Sequence, residues 1–225
     1  MTQGQPAGSG LLGRAVFVVA VVAAAAGAWL GVGYFGPGVG PPPSEVELKA
    51  GTLLPRPKPL QPFTLTGQDR KPFTLDSLRG HWTFLAIGYT SCPDICPTTL
   101  ATFRAVRQQI TPKGGKPAAQ FLFISVDPER DTPQRLAQYV HYFDRHFLGA
   151  TGSNDSLRGL TAQLGLAYAR VDDPSSALGY LMDHSATIVL IDPDARLTAV
   201  FSTPYDSKAM AADFAAIKRS FPHRS

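Results

Sequence analysis

Residues Trp82–Thr99 read WTFLAIGYTSCPDICPTT, and this stretch decides the fold. Its first part, Trp82 to Tyr89, is a nearly continuous apolar run, which predicts a central strand covered on both faces. The cysteines Cys92 and Cys96 follow directly. A helical pattern then runs from about Pro97 to Ile110, with apolar side chains recurring on one face. The reactive side chains are therefore expected between a buried strand and a helix.

Further strand and helix patterns flank this stretch on both sides. Asp131-Thr132-Pro133-Gln134 marks a helix start, because a capping side chain precedes a proline in the first turn. The predicted elements are a hairpin over 63–66 and 72–75, strands over 120–126, 186–191 and 197–202, and helices over 133–143, 156–164 and 207–220. Their order predicts an α/β domain of the thioredoxin-like class, with a central mixed sheet and helices on both faces. The cysteines then fall at the carboxyl end of the first core strand, where such sheets place their chemistry.

The N-terminal part of the chain predicts a membrane tether. Ala15–Phe35 contains no charged residue, and about 20 helical residues cross a hydrocarbon core. We therefore predict a transmembrane anchor behind a short cytoplasmic tail, residues 1–14, whose Arg14 favours that side. Ala26-Gly27-Ala28 also fits a cleavage site, so a removable signal peptide is the alternative. Residues 36–61, rich in proline and glycine, predict an extended stalk, and residues 62–225 the globular domain.

Both alternatives for the N-terminus place the domain outside the cytoplasm. A retained anchor makes the chain a single-pass protein of the inner membrane, with its C-terminal domain in the oxidising periplasm. The net charge of +4 is spread along the sequence without a basic cluster, which argues against nucleic acid as a partner.

The chain has two cysteines, Cys92 and Cys96, and their number and spacing indicate a functional thiol site. A disulfide across so short a loop adds little stability, because the entropic gain grows with loop length. In a helical turn, residues four apart lie on one face, so both sulfur atoms can reach one point. The nearby helix N-terminus lowers thiol pKa and favours the thiolate. A metal ion and a redox-active disulfide both remain open at this point.

His184 favours the metal. It lies just before the predicted strand 186–191, in a loop that faces the dithiol in a thioredoxin-like fold. Dedicated thiol-disulfide enzymes usually carry a cis-proline there, and this loop has none. Two thiolates and one imidazole suit copper, as Cu(I) or Cu(II), whereas zinc usually takes a fourth ligand. Asp183 is either a hydrogen-bonding residue that orients its neighbours in the site or a solvated loop carboxylate.

The sequence resembles the Sco/SenC family of membrane-tethered copper proteins in three stretches. They are Gly88–Thr98 (GYTSCPDICPT), Ser125–Pro133 (SVDPERDTP), and Asp183-His184-Ser185 ahead of a strand that ends at Ile191-Asp192-Pro193. The similarity covers roughly Pro62 to the C-terminus. For the second stretch, the residues themselves suggest only helix capping.

The resemblance implies a thioredoxin-like domain that binds copper through Cys92, Cys96 and His184. It also implies a role in building the CuA centre of cytochrome c oxidase subunit II. The expected partners are therefore that subunit, a copper donor protein, and the membrane through the N-terminal helix. The family is credited both with delivering copper and with reducing the cysteines of its target.

Two hypotheses from different classes follow. The first is a metallochaperone, a binding protein whose copper leaves by ligand exchange. The second is a thiol-disulfide oxidoreductase or redox sensor that uses Cys92 and Cys96 on the same target, and a thiol peroxidase is a more distant variant of it.

Overall fold

The computed structural model describes residues 47–112, 115–173 and 179–221. The predicted cytoplasmic tail, the predicted anchor over Ala15–Phe35 and the first part of the predicted stalk lie outside these residues. Among the helices of the described part, none has the length and apolar character needed to cross a membrane.

The described part of the chain alternates between strands and helices. The strands are β1 (Gly51–Pro59), β2 (Thr64–Gly67), β3 (Pro72–Thr74), β4 (Thr83–Gly88), β5 (Gln120–Ser125), β6 (Leu148–Thr151), β7 (Tyr168–Asp172), β8 (Tyr180–His184), β9 (Thr187–Ile191) and β10 (Arg196–Ser202). The helices are α1 (Ile95–Ile110), α2 (Pro133–Phe143), α3 (Asn154–Leu164) and α4 (Ser207–Ser220), and a short 3₁₀ turn, Leu75–Ser77, follows β3.

Eight of the described strands form one mixed sheet, in the order β1-β10-β9-β4-β5-β6-β2-β3. β4, β5 and β6 are parallel to one another, whereas the remaining pairs are antiparallel. Every residue of β4 is buried, as its continuous apolar sequence predicts. The prediction of a central mixed sheet with helices is confirmed. β7 and β8 pair only with each other, as a separate two-stranded hairpin.

An aromatic cluster joins one face of the sheet to its helices. The rings of Phe84 and Phe121, on neighbouring strands, are stacked with their centroids 5.1 Å apart. Phe214 of α4 packs 5.4 Å from Phe84, and Phe103 of α1 packs 5.3 Å from Phe121. Tyr139 of α2 lies 5.7 Å from Phe123. Helices α1, α2 and α4 are thereby fixed against the strands that lead to the cysteines.

The structure contains strands that the sequence patterns did not predict. β1 lies within the segment assigned to the stalk, because its prolines suggested an extended linker. It is an edge strand, and its pairing with β10 shifts register between Leu53 and Lys58, so Pro55 and Pro57 fall where the ladder is interrupted. β6 has four residues, β7 is almost entirely exposed, and β8 has only three apolar residues in a row, so none of them carries a strong apolar pattern.

Asp213 anchors the chain where it enters the sheet. This carboxylate of α4 is buried and accepts hydrogen bonds from the backbone amides of Lys49, Ala50 and Gly51 at 2.8–2.9 Å. Lys49 and Ala50 precede β1, and Gly51 begins it opposite Phe201 of β10. A charged acceptor strengthens such bonds relative to a neutral one.

We expect Asp213→Ala to lower the free energy of unfolding by about 2–4 kcal/mol, since it removes a charged acceptor from three amides. Urea unfolding followed by circular dichroism measures the change. Asp155→Ala is the matched control, because Asp155 makes an exposed ion pair with Arg158, and its loss should cost less than about 1 kcal/mol. Equal unfolding midpoints for the two variants would contradict this role of Asp213.

Candidate metal centre

The two cysteines lie in the connection between β4 and α1. β4 ends at Gly88, Cys92 lies in the following loop, and Cys96 is in the first turn of α1. The helix begins at Ile95, so Cys92 lies outside it. The expectation that helical spacing aligns the two sulfur atoms is therefore wrong. A tight loop brings them together instead, in which the amide of Cys92 donates to the carbonyl of Tyr89 at 3.2 Å.

Cys96 packs against the backbone at the end of β4. It is 1% exposed. A Cβ atom built on Gly88 would lie 2.3 Å from Cys96 Sγ and 2.8 Å from the ring of Phe123. Since real Cβ atoms do not approach other atoms so closely, only glycine leaves room for the sulfur here. Gly88 therefore contributes to the site through its missing side chain.

Asp131 holds the loop that leads to Cys92. Its fully buried carboxylate accepts hydrogen bonds from the amide of Thr90 at 2.8 Å, and from the hydroxyls of Thr90 and Ser125 at 2.5 Å. The helix start at 131–134 is confirmed, but Thr132 is the residue whose side chain caps α2. The carboxylate of Asp131, the residue before the cap, points into the protein.

His184 reaches the thiols from the hairpin. It is the last residue of β8 and is half-buried. Its Nε2 lies 3.3 Å from Cys96 Sγ, and its ring stands edge-on to that of Tyr89 with the centroids 5.9 Å apart. The sequence had placed His184 in a loop ahead of the next strand. The structure places it on a strand of a separate hairpin, at the same edge of the sheet as the cysteines.

Cys92, Cys96 and His184 form one group. Their ligand atoms all lie within 4.8 Å of one another, and both cysteines are free thiols. It is the only such group of three histidine, cysteine or acidic residues among the described residues. Two sulfur atoms and one imidazole nitrogen are a soft donor set, so the arrangement fits a thiophilic metal ion such as copper.

The two thiols share their protons unequally. A hydrogen bond from the Cys96 thiol lowers the pKa of Cys92 to about 4, against the effect of burial and with a further contribution from His184. The same hydrogen bond, together with burial and the neighbouring thiolate, raises the pKa of Cys96. At neutral pH the pair therefore carries a single proton, with the thiolate on the more exposed Cys92.

Asp183 does not join the group of three. It alternates with Met182 and His184 along β8, so its side chain points to the other face of the strand, where it is exposed. Its predicted role in orienting the site stays a prediction. His141 and His146 contact Gln68 and Asp144, respectively, away from the thiols.

The fold and this group together define a class: thioredoxin-like α/β domains that carry a dithiol and an imidazole at the end of the central strand. Comparison with known proteins identifies the family. The SCO1/SenC family model matches residues 53–219. The chain belongs to the SCO1/SenC family.

Relatives and solved structures agree with that assignment. The chain is 33% identical over 207 residues to "Protein SCO2 homolog, mitochondrial" of Bos taurus, covering 89% of this chain and 73% of that protein. It resembles Arabidopsis thaliana ScoI solved with copper bound, at 32% identity and a TM-score of 0.65, covering 71% of this chain and 98% of that one. Bradyrhizobium japonicum ScoI with copper bound is similar at 35% identity, with a TM-score of 0.61 and coverage of 72% and 98%.

The lowered pKa of Cys92 predicts an unusual pH profile for its alkylation. Above about pH 4 the thiolate predominates, so the rate constant of Cys92 with iodoacetamide should be nearly constant between about pH 6 and 8.5. The alkylation of an ordinary thiol with a pKa near 8.5 slows about tenfold for each unit that the pH falls below that value, because the thiolate fraction falls in proportion. Mass spectrometry of the metal-free, reduced protein measures the rate at each cysteine.

Two controls accompany this measurement. In the urea-unfolded chain Cys92 should show the steep profile of an ordinary thiol. Cys96→Ala should restore much of that steepness in the folded protein, because it removes the largest cause of the lowered pKa. A steep profile for Cys92 in the folded wild-type protein would show that its thiolate is not stabilised.

Proposed function

We propose that this protein is a copper metallochaperone that binds a copper ion through Cys92, Cys96 and His184. The observation that carries the proposal is the convergence of three soft ligand atoms within 4.8 Å of one another. Copper is the cargo of such a protein, because it binds at the site and leaves it for a partner.

The chemistry of the donors favours copper over the common alternatives. Thiolate sulfur and imidazole nitrogen suit copper in both of its biological oxidation states, whereas magnesium and calcium prefer oxygen. Structural zinc sites almost always use four protein ligands, and the described residues supply three in this group. A thiolate at Cys92 is already present at neutral pH, so binding there does not have to displace its proton.

The relatives support the same cargo. The structures of Arabidopsis thaliana and Bradyrhizobium japonicum ScoI hold copper, and both are more than 30% identical to this chain. We infer that copper binds this chain at the group formed by Cys92, Cys96 and His184.

We further propose that the copper is destined for the CuA centre of cytochrome c oxidase subunit II. The resemblance of three sequence stretches to Sco/SenC proteins supports this target. The apolar segment Ala15–Phe35 supports a single membrane anchor, with the domain on the periplasmic side and copper received there from a donor protein. An anchored domain meets a membrane-bound target at a high effective concentration.

Partial burial of the site suits a protein that must both hold and release its cargo. Cys96 is 1% exposed, Cys92 is 9% exposed, and His184 is half-buried. We expect a partner to reach the ion from the side of Cys92 and His184. Loss of these two contacts leaves copper on a single thiolate, which an incoming pair of cysteines can displace.

A copper titration of the reduced, full-length protein in detergent tests the binding proposal. Wild-type protein should bind a single Cu(I) ion in competition with a chromogenic chelator. Cys92→Ser, Cys96→Ser and His184→Ala should each weaken the affinity by at least about tenfold, since even residues beyond the ligands have effects of that size. His141→Ala is the matched control, because His141 contacts Gln68 and lies outside the group of three.

Two results would refute the binding proposal. One is wild-type protein that binds no copper with its thiols reduced. The other is undiminished copper affinity in His184→Ala, which would remove the imidazole from the site.

A thiol-disulfide oxidoreductase is the second candidate function. The observation in its favour is a pair of free thiols, one of them with a strongly lowered pKa. Low pKa and proximity to a second thiol are what thiol-disulfide exchange requires. The two functions use the same cysteines. Copper binding uses the imidazole as a ligand, whereas the main cause of the lowered pKa of Cys92 is the hydrogen bond from Cys96.

His184→Ala separates the two functions in cells. We expect cells that carry this variant as their sole copy to lose most assembled CuA, measured by oxidase activity and by the absorbance of the centre. Added copper should restore part of the activity, because the defect is in delivery. Normal CuA assembly with His184→Ala, together with failure of Cys92→Ser, would favour the redox function instead.

A further inference from the structure

The hairpin that carries His184 is attached to the domain without strand pairing. β7 and β8 are hydrogen-bonded to each other over five residue pairs, from Tyr168 with His184 to Asp172 with Tyr180. Neither strand joins the eight-stranded sheet in the described part of the chain. The position of His184 relative to the cysteines therefore depends on two things: the two-residue connection from β8 to β9, and side-chain contacts between the hairpin and the rest of the domain.

Arg130 makes two of these contacts, both with Tyr180. Its guanidinium carbon lies 3.7 Å from the centroid of the Tyr180 ring, and its Nη1 donates to the Tyr180 carbonyl at 3.1 Å. One side chain thus holds both the ring and the backbone of the residue that begins β8. A planar guanidinium can stack on an aromatic ring and donate hydrogen bonds in its own plane at the same time, whereas the ammonium of lysine is a compact charge without a planar face.

Neighbouring groups keep this contact in place. The Tyr180 hydroxyl donates to Asp127 at 2.8 Å, and the buried Asp127 also forms an ion pair with Arg130. Arg170 of the hairpin lies 3.8 Å from the same ring and pairs with Glu129 at 3.1 Å. The segment 127–130 therefore holds β8 through charge, stacking and hydrogen bonds together.

Arg130 also faces the cysteine side of the site. Its guanidinium lies 5.4 Å from the ring of Tyr89, which stands edge-on to His184. Its neighbour Asp131 holds Thr90, two residues before Cys92. Adjacent residues of one turn thus contact the two halves of the site, Asp131 the cysteine loop and Arg130 the hairpin.

The burial of Arg130 is costly if its role is only to stabilise the fold. Its side chain is 13% exposed, and its Nη2 is buried without a hydrogen-bond partner. A buried ion pair is often no more stabilising than apolar residues of the same size, and an unsatisfied donor adds to its cost. The contacts of Arg130 with Tyr180 and Tyr89, on the two sides of the site, explain why a guanidinium lies at this position in spite of that cost.

We propose that Arg130 is a positioning residue for the metal centre: it fixes the hairpin so that His184 lies within ligand distance of the two sulfur atoms. The inference rests on the proposed copper function and assigns a role to part of the SVDPERDTP stretch beyond helix capping. Arg130 itself does not touch the ion. It acts through Tyr180, which begins the strand that His184 ends.

Arg130→Met tests this role, because methionine keeps much of the length and loses the charge and the fork. The matched control is Arg196→Met. Arg196 also pairs with a buried aspartate, Asp192, but at the far end of β9 from the site. Two readouts are compared on the full-length protein in detergent: Cu(I) affinity, and hydrogen exchange of the β8 amides in metal-free protein.

We expect Arg130→Met to weaken Cu(I) binding by about 10–100-fold, the usual effect of residues that orient metal ligands. Exchange of the β8 amides should accelerate at least about tenfold, while the amides of β4 and β5 keep their protection. Arg196→Met should leave both readouts at the wild-type level. Arg130→Lys should restore part of the affinity, because the charge remains beside the ring and the fork is lost.

The outcomes separate this inference from the copper function. If wild-type protein binds copper and Arg130→Met binds it equally well with unchanged β8 exchange, the inference is overturned. If wild-type protein binds no copper, the proposed function fails, and the exchange of β8 still decides whether Arg130 fixes the hairpin. If Arg130→Met does not fold, Arg130→Lys carries the test, and wild-type values in both readouts would refute the inference.

Discussion

The buried carboxylate of Asp131 is the constraint on which the site depends. A charge without solvent must be surrounded by donors, and this one receives them from Thr90 in the cysteine loop and Ser125 at the end of β5. Its own place is fixed by the turn in which its amide donates to the carbonyl of Asp127 at 2.9 Å. The ends of two neighbouring parallel strands are thereby joined to the start of α2. This junction fixes the path of the loop that carries Cys92. The sulfur atom of Cys96 packs against the end of β4, where Gly88 has no side chain to exclude it.

Much of the fold could be predicted from the sequence, because the central elements have strong apolar patterns. The strands around Phe84, Phe121 and Val189 are continuous apolar runs, and the helices carry capping residues or one-sided apolar faces. The edge strand β1 could not be predicted in the same way, since prolines are compatible with both a linker and an unpaired sheet edge. The hairpin of β7 and β8 was missed because β7 is mostly exposed and neither strand has a long apolar run, while the position of the hairpin depends on contacts such as that of Arg130 with Tyr180. Such contacts join residues about 50 positions apart, a distance over which local patterns carry no information.

The membership of the site could be predicted better than its construction. Cysteine count, export and the place of His184 in a thioredoxin-like fold led to the three residues that the structure brings together. The reason for their proximity was different, since Cys92 lies outside the helix and reaches Cys96 through a loop. The role of Asp131 in the site could not be predicted. An aspartate shortly before a proline is typical of a helix start, and the sequence does not show whether its side chain caps the helix or points into the protein. The unequal sharing of one proton between the thiols also depends on burial and distance, which a sequence does not display.

Because His184 lies on a separate hairpin, its position in the site and the stability of the central sheet depend on different contacts. When a ligand residue belongs to the central sheet, any substitution that loosens it also weakens the core. Here β7 and β8 pair only with each other, so loosening the hairpin about its connection to β9 breaks no strand pairing of the eight-stranded sheet. Local opening of this kind costs a fraction of the global free energy of unfolding. Under the proposed function, changes in the residues that hold the hairpin, such as Arg130 and Tyr180, would alter the residence time of a bound ion. Retention of the ion and stability of the fold would then depend on different residues.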